Sequence, residues 1–452
     1  MSDAAERLID HALGLHWEAI PNGARMAAQA FLLDSLAVGA AGRNAAHADS
    51  VLAMVQGWGE GGAAGVLGRS DLKLPAPSAA FVNAFQIHGQ EYDCVHEAAV
   101  LHPMATVLSA LLAELARGAA VDGRTFMTAI VAGVDVAVTL GLAAPGALTF
   151  FRPATAGIFG CVAAIASLRA MPREQALDAF GHALAFASGT MQAHVEGKPA
   201  LPVQVANAAR GALVAVDLAR AGMPGIRGTV EGPFGYLSML EGETALAPAL
   251  AKLGQGHRIE EVSWKPFPTG RAGHGGIGAV QKLKAKGLSI SNLAHLEYRA
   301  PPLIHRLVGR PAHGNMAPGY ARLCLPYLAA VTLTRGTVSL SDFGAESLQD
   351  PELLALAAKV EVVIDGNPDQ AAFVPTMATA QLSDGSMLTE AVPALLGSPS
   401  CPLSRSEQEI KAAACLAFAG HYDRLENLLH AVDTLADAPD ALATIRASGV
   451  MT

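Results

Sequence analysis

The sequence predicts a mainly α protein. A large all-helical domain spans residues 1–256, a smaller α+β domain spans 257–396, and a helical segment over 397–452 returns to the first domain. Three observations predict it. Up to about residue 255, apolar residues recur at spacings of three and four between Gly, Pro and Asn breaks, as in stacked helices. After "GHRIEEVSWKPFP" short β-like runs appear, and from "SRSEQEIKAAACLAF" the helical period resumes. A chain of 452 residues also exceeds what one core usually organises.

In chain order, "PMATVLSALLAELARG" is the clearest early helix. Val107, Leu108, Leu111, Leu112 and Leu115 form one face, Pro103 suits the first helical position and Gly118 the stop. The apolar run "FMTAIVAGVDVAVTLGLAAPGALTF" is long enough to span a bilayer. Asp135, Pro145 and several glycines interrupt it, so a buried core helix is expected. In the second domain "HLEYRA" and "KVEVVID" read as strands, and "TMATAQLSDGSMLTEAV" as a hairpin turning at Asp384-Gly385. Helices over 274–286 and 318–335 interleave with them. Ser404 followed by Glu407 is a capping box that opens the last helical segment.

Composition excludes several classes of function. The net charge of −9 leaves no electrostatic footprint for nucleic acid or an anionic membrane, so a small-molecule partner is expected. "MSDAAERLID" shows no basic stretch followed by an apolar one, which gives a cytoplasmic expectation. Five cysteines with no CxxC pair argue for free thiols rather than a disulfide framework or a zinc site.

Against 51% hydrophobic and 16% charged residues, "HGQEYDCVHEAAVLHP" (88–103) concentrates three histidines, three carboxylates and a cysteine. His102 directly precedes Pro103, at the positive end of a helix. That field disfavours the imidazolium and welcomes an anionic ligand. The plain alternative is a capping histidine. Arg152 precedes Pro153 at another helix start, where a cation opposes the dipole unless an anion lies between. "KPFPTGRAGHGGIGAVQKL" sets Lys265, Arg271 and His274 around backbone N–H groups able to cradle an oxyanion. His88, Glu91, Asp93, His96 and Glu97 also have metal-ligand chemistry, but no compact spacing such as HExxH, and no metal is expected. Tyr327 follows Pro326 inside an apolar helical run, where proline should bend or open the backbone. The simpler reading of Tyr327 is a core tyrosine with a hydrogen-bonded hydroxyl.

These blocks, with "LLDSLAVGAAG", "EGKPALPVQVANAARGALVAVDLARAGMPG", "SWKPFPTGRAGHGG" and "YARLCLPYLAAVTLTRGTV", occur in an order that resembles the MmgE/PrpD family. That family includes 2-methylcitrate dehydratase, cis-aconitate decarboxylase and iminodisuccinate epimerase. The resemblance covers nearly the whole chain. It implies a large helical domain under a smaller α+β domain, a homodimer, and catalysis without metal or organic cofactor. His102, Asp93, Lys265, His274 and Tyr327 match the family's positions. Cys94 stands where an aspartate is usual, Arg152 where decarboxylase-like members carry a histidine, and Leu201 where they carry a basic residue.

The function expected is a lyase acting on a small di- or tricarboxylic acid, of the 2-methylcitrate dehydratase type. An epimerase or a cis-aconitate decarboxylase-like enzyme shares its first step. A metal-dependent hydrolase or a non-catalytic carboxylate binder are the readings from other classes. Proton removal beside a carboxylate needs a base poised near neutrality, cations for the developing enediolate, and an acid for the leaving group. His102 is expected as the base, assisted by Asp93. Lys265, Arg152, Arg271 and His96 are expected to hold carboxylates, and Tyr327 or His274 to supply the acid. Arg152 is expected to grip substrate with two parallel hydrogen bonds where Leu201 has removed a cation. Alanine at His102 or Lys265 is expected to leave the fold intact.

Overall fold

The structure, a computed structural model, describes residues 3–146, 148–242 and 244–452. It is mainly α with a smaller α+β part. Helices Ala76–His88, Pro103–Leu115, Gly123–Leu142, Gly157–Leu168 and Ala200–Arg220 pack on one another as the core of the large bundle. Small residues let them approach closely. A Cβ on Gly160 would lie 2.6 Å from the carbonyl oxygen of Gly133, so the contact between Gly123–Leu142 and Gly157–Leu168 requires glycine there.

Gly123–Leu142 is long and apolar enough to cross a membrane, yet most of it is buried against the protein's own helices. Asp135 within it is paired rather than orphaned. Its Oδ2 lies 2.9 Å from His11 Nε2 and 2.8 Å from His257 Nδ1, and Oδ1 accepts the Arg258 N–H at 2.7 Å. A carboxylate inside an apolar helix is tolerable only with such partners.

One correction concerns the expected all-helical first part. Residues Ala64–Val66 (β1) and Arg69–Leu74 (β2) form a two-stranded antiparallel hairpin. Gly68, with φ of +72°, makes its turn. The alternation in "RSDLKL" was too short to stand out against the surrounding helical period.

The remaining strands form one sheet. Leu293–Ala300 (β3) pairs parallel with Val360–Ile364 (β4) and antiparallel with Thr376–Leu382 (β5), which pairs antiparallel with Met387–Val392 (β6). The β5–β6 turn carries Gly385 at φ +88°, as the Asp384-Gly385 signal predicts. Helices His274–Ala285 and Leu325–Arg335 pack beside this sheet. The helix expected over 318–335 is two helices, Pro318–Ala321 and Leu325–Arg335. Pro326 lies in the first turn of the second, where no intrahelical N–H is needed, so it starts a helix instead of bending one.

Helix Arg405–Phe418 opens with the Ser404–Glu407 capping box and packs on Asn22–Ala41. Lys411 anchors it, with Nζ 2.6 Å from buried Asp34 Oδ1 and 2.8 Å from the Tyr92 carbonyl. That carbonyl belongs to the 88–103 stretch, so the C-terminal helix braces the acidic loop from behind.

Candidate active site

The 88–103 stretch leaves the end of helix Ala76–His88, folds as a loop, and enters helix Pro103–Leu115 at His102. Reciprocal backbone hydrogen bonds between Val95 and Ser263, of 3.0 and 2.7 Å, clamp the loop to the segment carrying Lys265. Glu91 and Val100 hold positive φ angles of 50° and 48°. Non-glycine residues in this region carry a conformational cost that collects at functional sites.

The clamp brings a charged cluster together in the interior. Lys265 is 0% exposed. Its Nζ donates to Glu91 Oε2 at 2.8 Å and lies 3.8 Å from Asp93 Oδ1. His88 donates from Nδ1 to Asp93 at 3.1 Å, and its ring meets that of His102 edge-on, with centroids 4.7 Å apart. Nδ1 of His102 stands 3.2 Å from Asp93 Oδ2. His102 makes no side-chain cap, so the capping alternative does not describe it.

The electrostatics follow from this geometry. Burial raises the Asp93 pKa, but His102, His88 and Lys265 outweigh it and hold the carboxyl well below its usual range. Burial also opposes ionisation of Glu91, yet Lys265, His88 and His102 bring it down to about 2. For His88, burial favours the neutral ring, but Asp93 and Glu91 prevail and its pKa rises. For His102, burial and the Lys265 ammonium outweigh Asp93, and its pKa falls. His102 is thus the histidine kept unprotonated, and with Nδ1 buried toward Asp93, Nε2 is the nitrogen left for a ligand.

A cavity opens beside His102, bordered also by Glu91, His194 and Arg271 and walled by apolar residues such as Leu148, Phe151 and Met191. Arg271 donates to Glu97 Oε1 at 2.6 Å, and its Nη1 donates to the Leu396 carbonyl at 2.7 Å. Among the described residues its buried Nη2 has no hydrogen-bond partner. A fixed guanidinium with one free Nη is suited to a carboxylate oxygen. A second recess shares Glu91 and Leu323 with the first and is bordered by His88, Lys198, Leu201 and Arg322.

His274, Tyr327, His96 and Arg152 lie elsewhere. His274 lines neither space. Its Nδ1 is 3.3 Å from Arg271 Nη1 and its Nε2 is 3.4 Å from the Thr269 carbonyl, an arrangement that suits a neutral ring. Burial and then Arg271 drive its pKa well down. It therefore orients Arg271 rather than reaching the cavity. Tyr327 donates its hydroxyl to the Asp342 carbonyl at 2.6 Å and is buried away from both spaces, the simple core role. His96 lies 3.0 Å from Glu261 Oε2 through Nε2 and accepts the Ala99 N–H on Nδ1, so both nitrogens are in use.

Arg152 departs furthest from expectation. It is buried, with Nε 3.2 Å from Glu241 Oε2, and does not border the cavity. The anion needed at this helix start is the protein's own. Burial raises the Glu241 pKa despite Arg152. Arg152→Met, which leaves Glu241 with the Tyr236 hydroxyl but no cation, is expected to cost up to about 3–5 kcal/mol of stability, and Glu241→Leu added to it should recover much of the loss. Denaturant titration checks this. An unchanged midpoint with a raised KM would restore the substrate-binding role. Where Leu201 lines the second recess, Arg322 and Lys198 supply the cations instead.

Among the charged and imidazole side chains that line the two spaces, the sequence pattern does not mark His47, His194, Lys198 or Arg322. No local pattern marks them, because packing between the helical part and the 310–323 segment brings them there. Burial lowers the Arg322 pKa to about 9, and its guanidinium donates to the Pro268 carbonyl at 2.7 Å and to Gln90 Oε1 at 2.8 Å.

Among the described residues, metal chemistry has one structural candidate. Donor atoms of His88, Asp93 and His102 lie within 4.8 Å of one another. Spacing along the chain hid this set, since His102 is fourteen positions from His88. The Lys265 ammonium already lies 3.8 Å from Asp93, and a divalent ion would have to displace or oppose it.

Glu91 also gives a pH prediction. Its folded pKa of about 2 lies below the ordinary 4.5, so on acidification the unfolded chain takes the proton first. The stabilisation it gives is present above pH 4.5 and is lost as pH falls toward 2. Glu91→Gln is expected to flatten the stability profile across that window, as read by denaturant midpoints at several pH values. An unchanged slope would mean that Glu91 is not held ionised.

A helical bundle joined to a sheet-and-helix part, with a buried lysine and paired acids behind a cavity histidine, defines a class. Two family profiles match: the MmgE/PrpD N-terminal domain over residues 6–249 and the MmgE/PrpD C-terminal domain over 267–436. The chain belongs to the MmgE/PrpD family. It is 25% identical over 393 residues to the cis-aconitate decarboxylase of Homo sapiens, covering 83% of this chain and 80% of that one. Against the cis-aconitate decarboxylase of Mus musculus it is 25% identical over 458 residues, covering 96% and 91%.

Proposed function

We propose that the protein is a lyase, working without metal or organic cofactor, that removes a proton beside a carboxylate of a small polycarboxylic acid and dehydrates a hydroxy acid of the 2-methylcitrate type. The observation that carries this reading is a cavity bordered by both His102, whose pKa is lowered, and the Arg271 side chain. His102 Nε2 takes the proton, and the electron pair moves onto the adjacent carboxylate as an enediolate. Arg271 holds an oxygen of that group as charge develops, the kind of fixed donor that supplies much of enzymic rate enhancement. The pair then returns to form the carbon–carbon double bond as the C–O bond breaks. The proton on His102 is available to the departing hydroxide, which leaves as water.

The apolar wall favours a substrate with an alkyl substituent, because Leu148, Phe151 and Met191 offer no partner to a further charged group. Decarboxylation is the second reading, favoured by the names of the two mammalian relatives. NMR of the protein with 2-methylcitrate, citrate, cis-aconitate and iminodisuccinate separates the outcomes. The proposal expects an olefinic product from 2-methylcitrate. Faster loss of carbon dioxide from cis-aconitate, or inversion of a stereocentre without water loss, would overturn it in favour of a decarboxylase or an epimerase.

Activity is expected to survive exhaustive chelation, because Lys265 supplies positive charge at the His88–Asp93–His102 cluster. Reversible loss of turnover, restored by one stoichiometric divalent metal, would contradict this.

A further inference from the structure

We propose, resting on the polycarboxylate reading above, that His194 is a further catalytic residue: a neutral imidazole whose N–H donates a hydrogen bond to the substrate oxygen that gains charge while His102 takes the proton. His194 lies on the short helix Gln192–Glu196, which Gly197 ends in a left-handed conformation with φ of 63°. It is 8% exposed and borders the same cavity as His102 and Arg271. Among the described residues no protein group hydrogen-bonds its ring, whereas the rings of His88, His96 and His274 each have protein partners. An enclosed imidazole without a protein partner leaves its donor for whatever occupies the cavity.

Its backbone is fixed from the far side. The His194 carbonyl accepts from Arg310 Nη2 at 3.0 Å, and the Arg310 guanidinium lies over the Tyr320 ring, 4.9 Å from its centre. The charges that reach the ring set its state. Burial, Arg310, Arg306 and His102 act against the imidazolium, Glu91 acts for it, and the balance lies at about 4. His194 is therefore uncharged at neutral pH with one N–H to donate. Among the described residues no carboxylate is paired with it as Asp93 is paired with His102, so proton abstraction belongs to His102 and oxygen stabilisation to His194.

Two measurements test this on the full chain. In the first, protein carrying 15N-labelled histidine is titrated with tricarballylate, a tricarboxylate with no leaving group. Two-bond 1H–15N spectra are recorded, with the His194→Gln variant assigning the ring. The expected result is a neutral His194 from about pH 5.5 to 8.5, shifting together with His102 as the probe binds. A shift of His102 alone would overturn the role of His194 and leave the proposed function standing. If neither ring moves, both proposals fall.

The second measurement is kinetic, with the substrate found by the panel. His194→Phe fills the space without a donor and is expected to lower kcat by about 10²-fold, the effect of losing one oxyanion donor. His194→Gln keeps an N–H and is expected to recover at least about tenfold of that loss, with the pH profile of kcat unmoved. If Phe is tolerated as well as Gln, the residue only fills space. If the acid limb moves in the Gln variant, His194 titrates during turnover. Either result overturns the proposal.

Discussion

Lys265→Ala is expected to lower kcat/KM by at least about 10²-fold and, unlike the expectation from sequence, to destabilise the fold as well. Lys265 is fully buried, with Glu91 Oε2 at 2.8 Å and Asp93 at 3.8 Å. Removing it leaves buried Glu91 without its hydrogen-bonded ammonium, a change that costs about 3–5 kcal/mol, while Asp93 keeps His88. Glu91→Gln in the same chain removes that uncompensated charge, so the double variant should regain stability without regaining activity. The lysine also lowers the His102 pKa. Any residual activity of Lys265→Ala should therefore lose its acid limb at a higher pH than wild type. Steady-state kinetics, chemical denaturation and a pH–rate profile check the three parts, and near-normal turnover in a well-folded Lys265→Ala would remove the residue from the mechanism.

His102→Ala is expected to show the complementary pattern: kcat/KM down by about 10²–10⁴-fold, the usual worth of general base catalysis, with stability little changed. The ring is at the cavity edge and makes no cap or hydrogen bond that holds the helix start. The sign of the pH dependence follows from its lowered pKa. Protonation abolishes the base, so activity falls as pH drops through the folded pKa, which lies below the ordinary 6.5. A wild-type acid limb well above that value would show that another group takes the proton.

How much of this was legible in the sequence is clearest residue by residue. The His102-Pro103 helix start, the Asp384-Gly385 hairpin and the Ser404–Glu407 box are local signals, and the structure realises each where the pattern places it. The "KPFP" lysine was marked by its block, but its burial against Glu91 depends on the Val95–Ser263 clamp, a contact between distant segments. Arg152 shows the limit most plainly. Its position at a helix start announces an anion, and only the fold reveals that the anion is Glu241, 89 residues on. Tyr327 and His274 carried family-like spacing, yet their polar atoms face Asp342 and Arg271, because spacing specifies neither side-chain direction nor which wall of a cavity a helix presents. His194 carried no local signal at all. It reaches the cavity through a one-turn helix held by Arg310.

Removal of a proton beside a substrate carboxylate by His102 can be followed by hydrogen exchange in heavy water. The protein is incubated with the polycarboxylate panel, and recovered substrate and product are examined by NMR for deuterium at the carbon next to the carboxylate. Deuterium is expected there in partially reacted substrate with the wild-type protein, with loss of that exchange in His102→Gln under conditions where the variant still binds tricarballylate. Exchange at the wild-type rate in His102→Gln would contradict it.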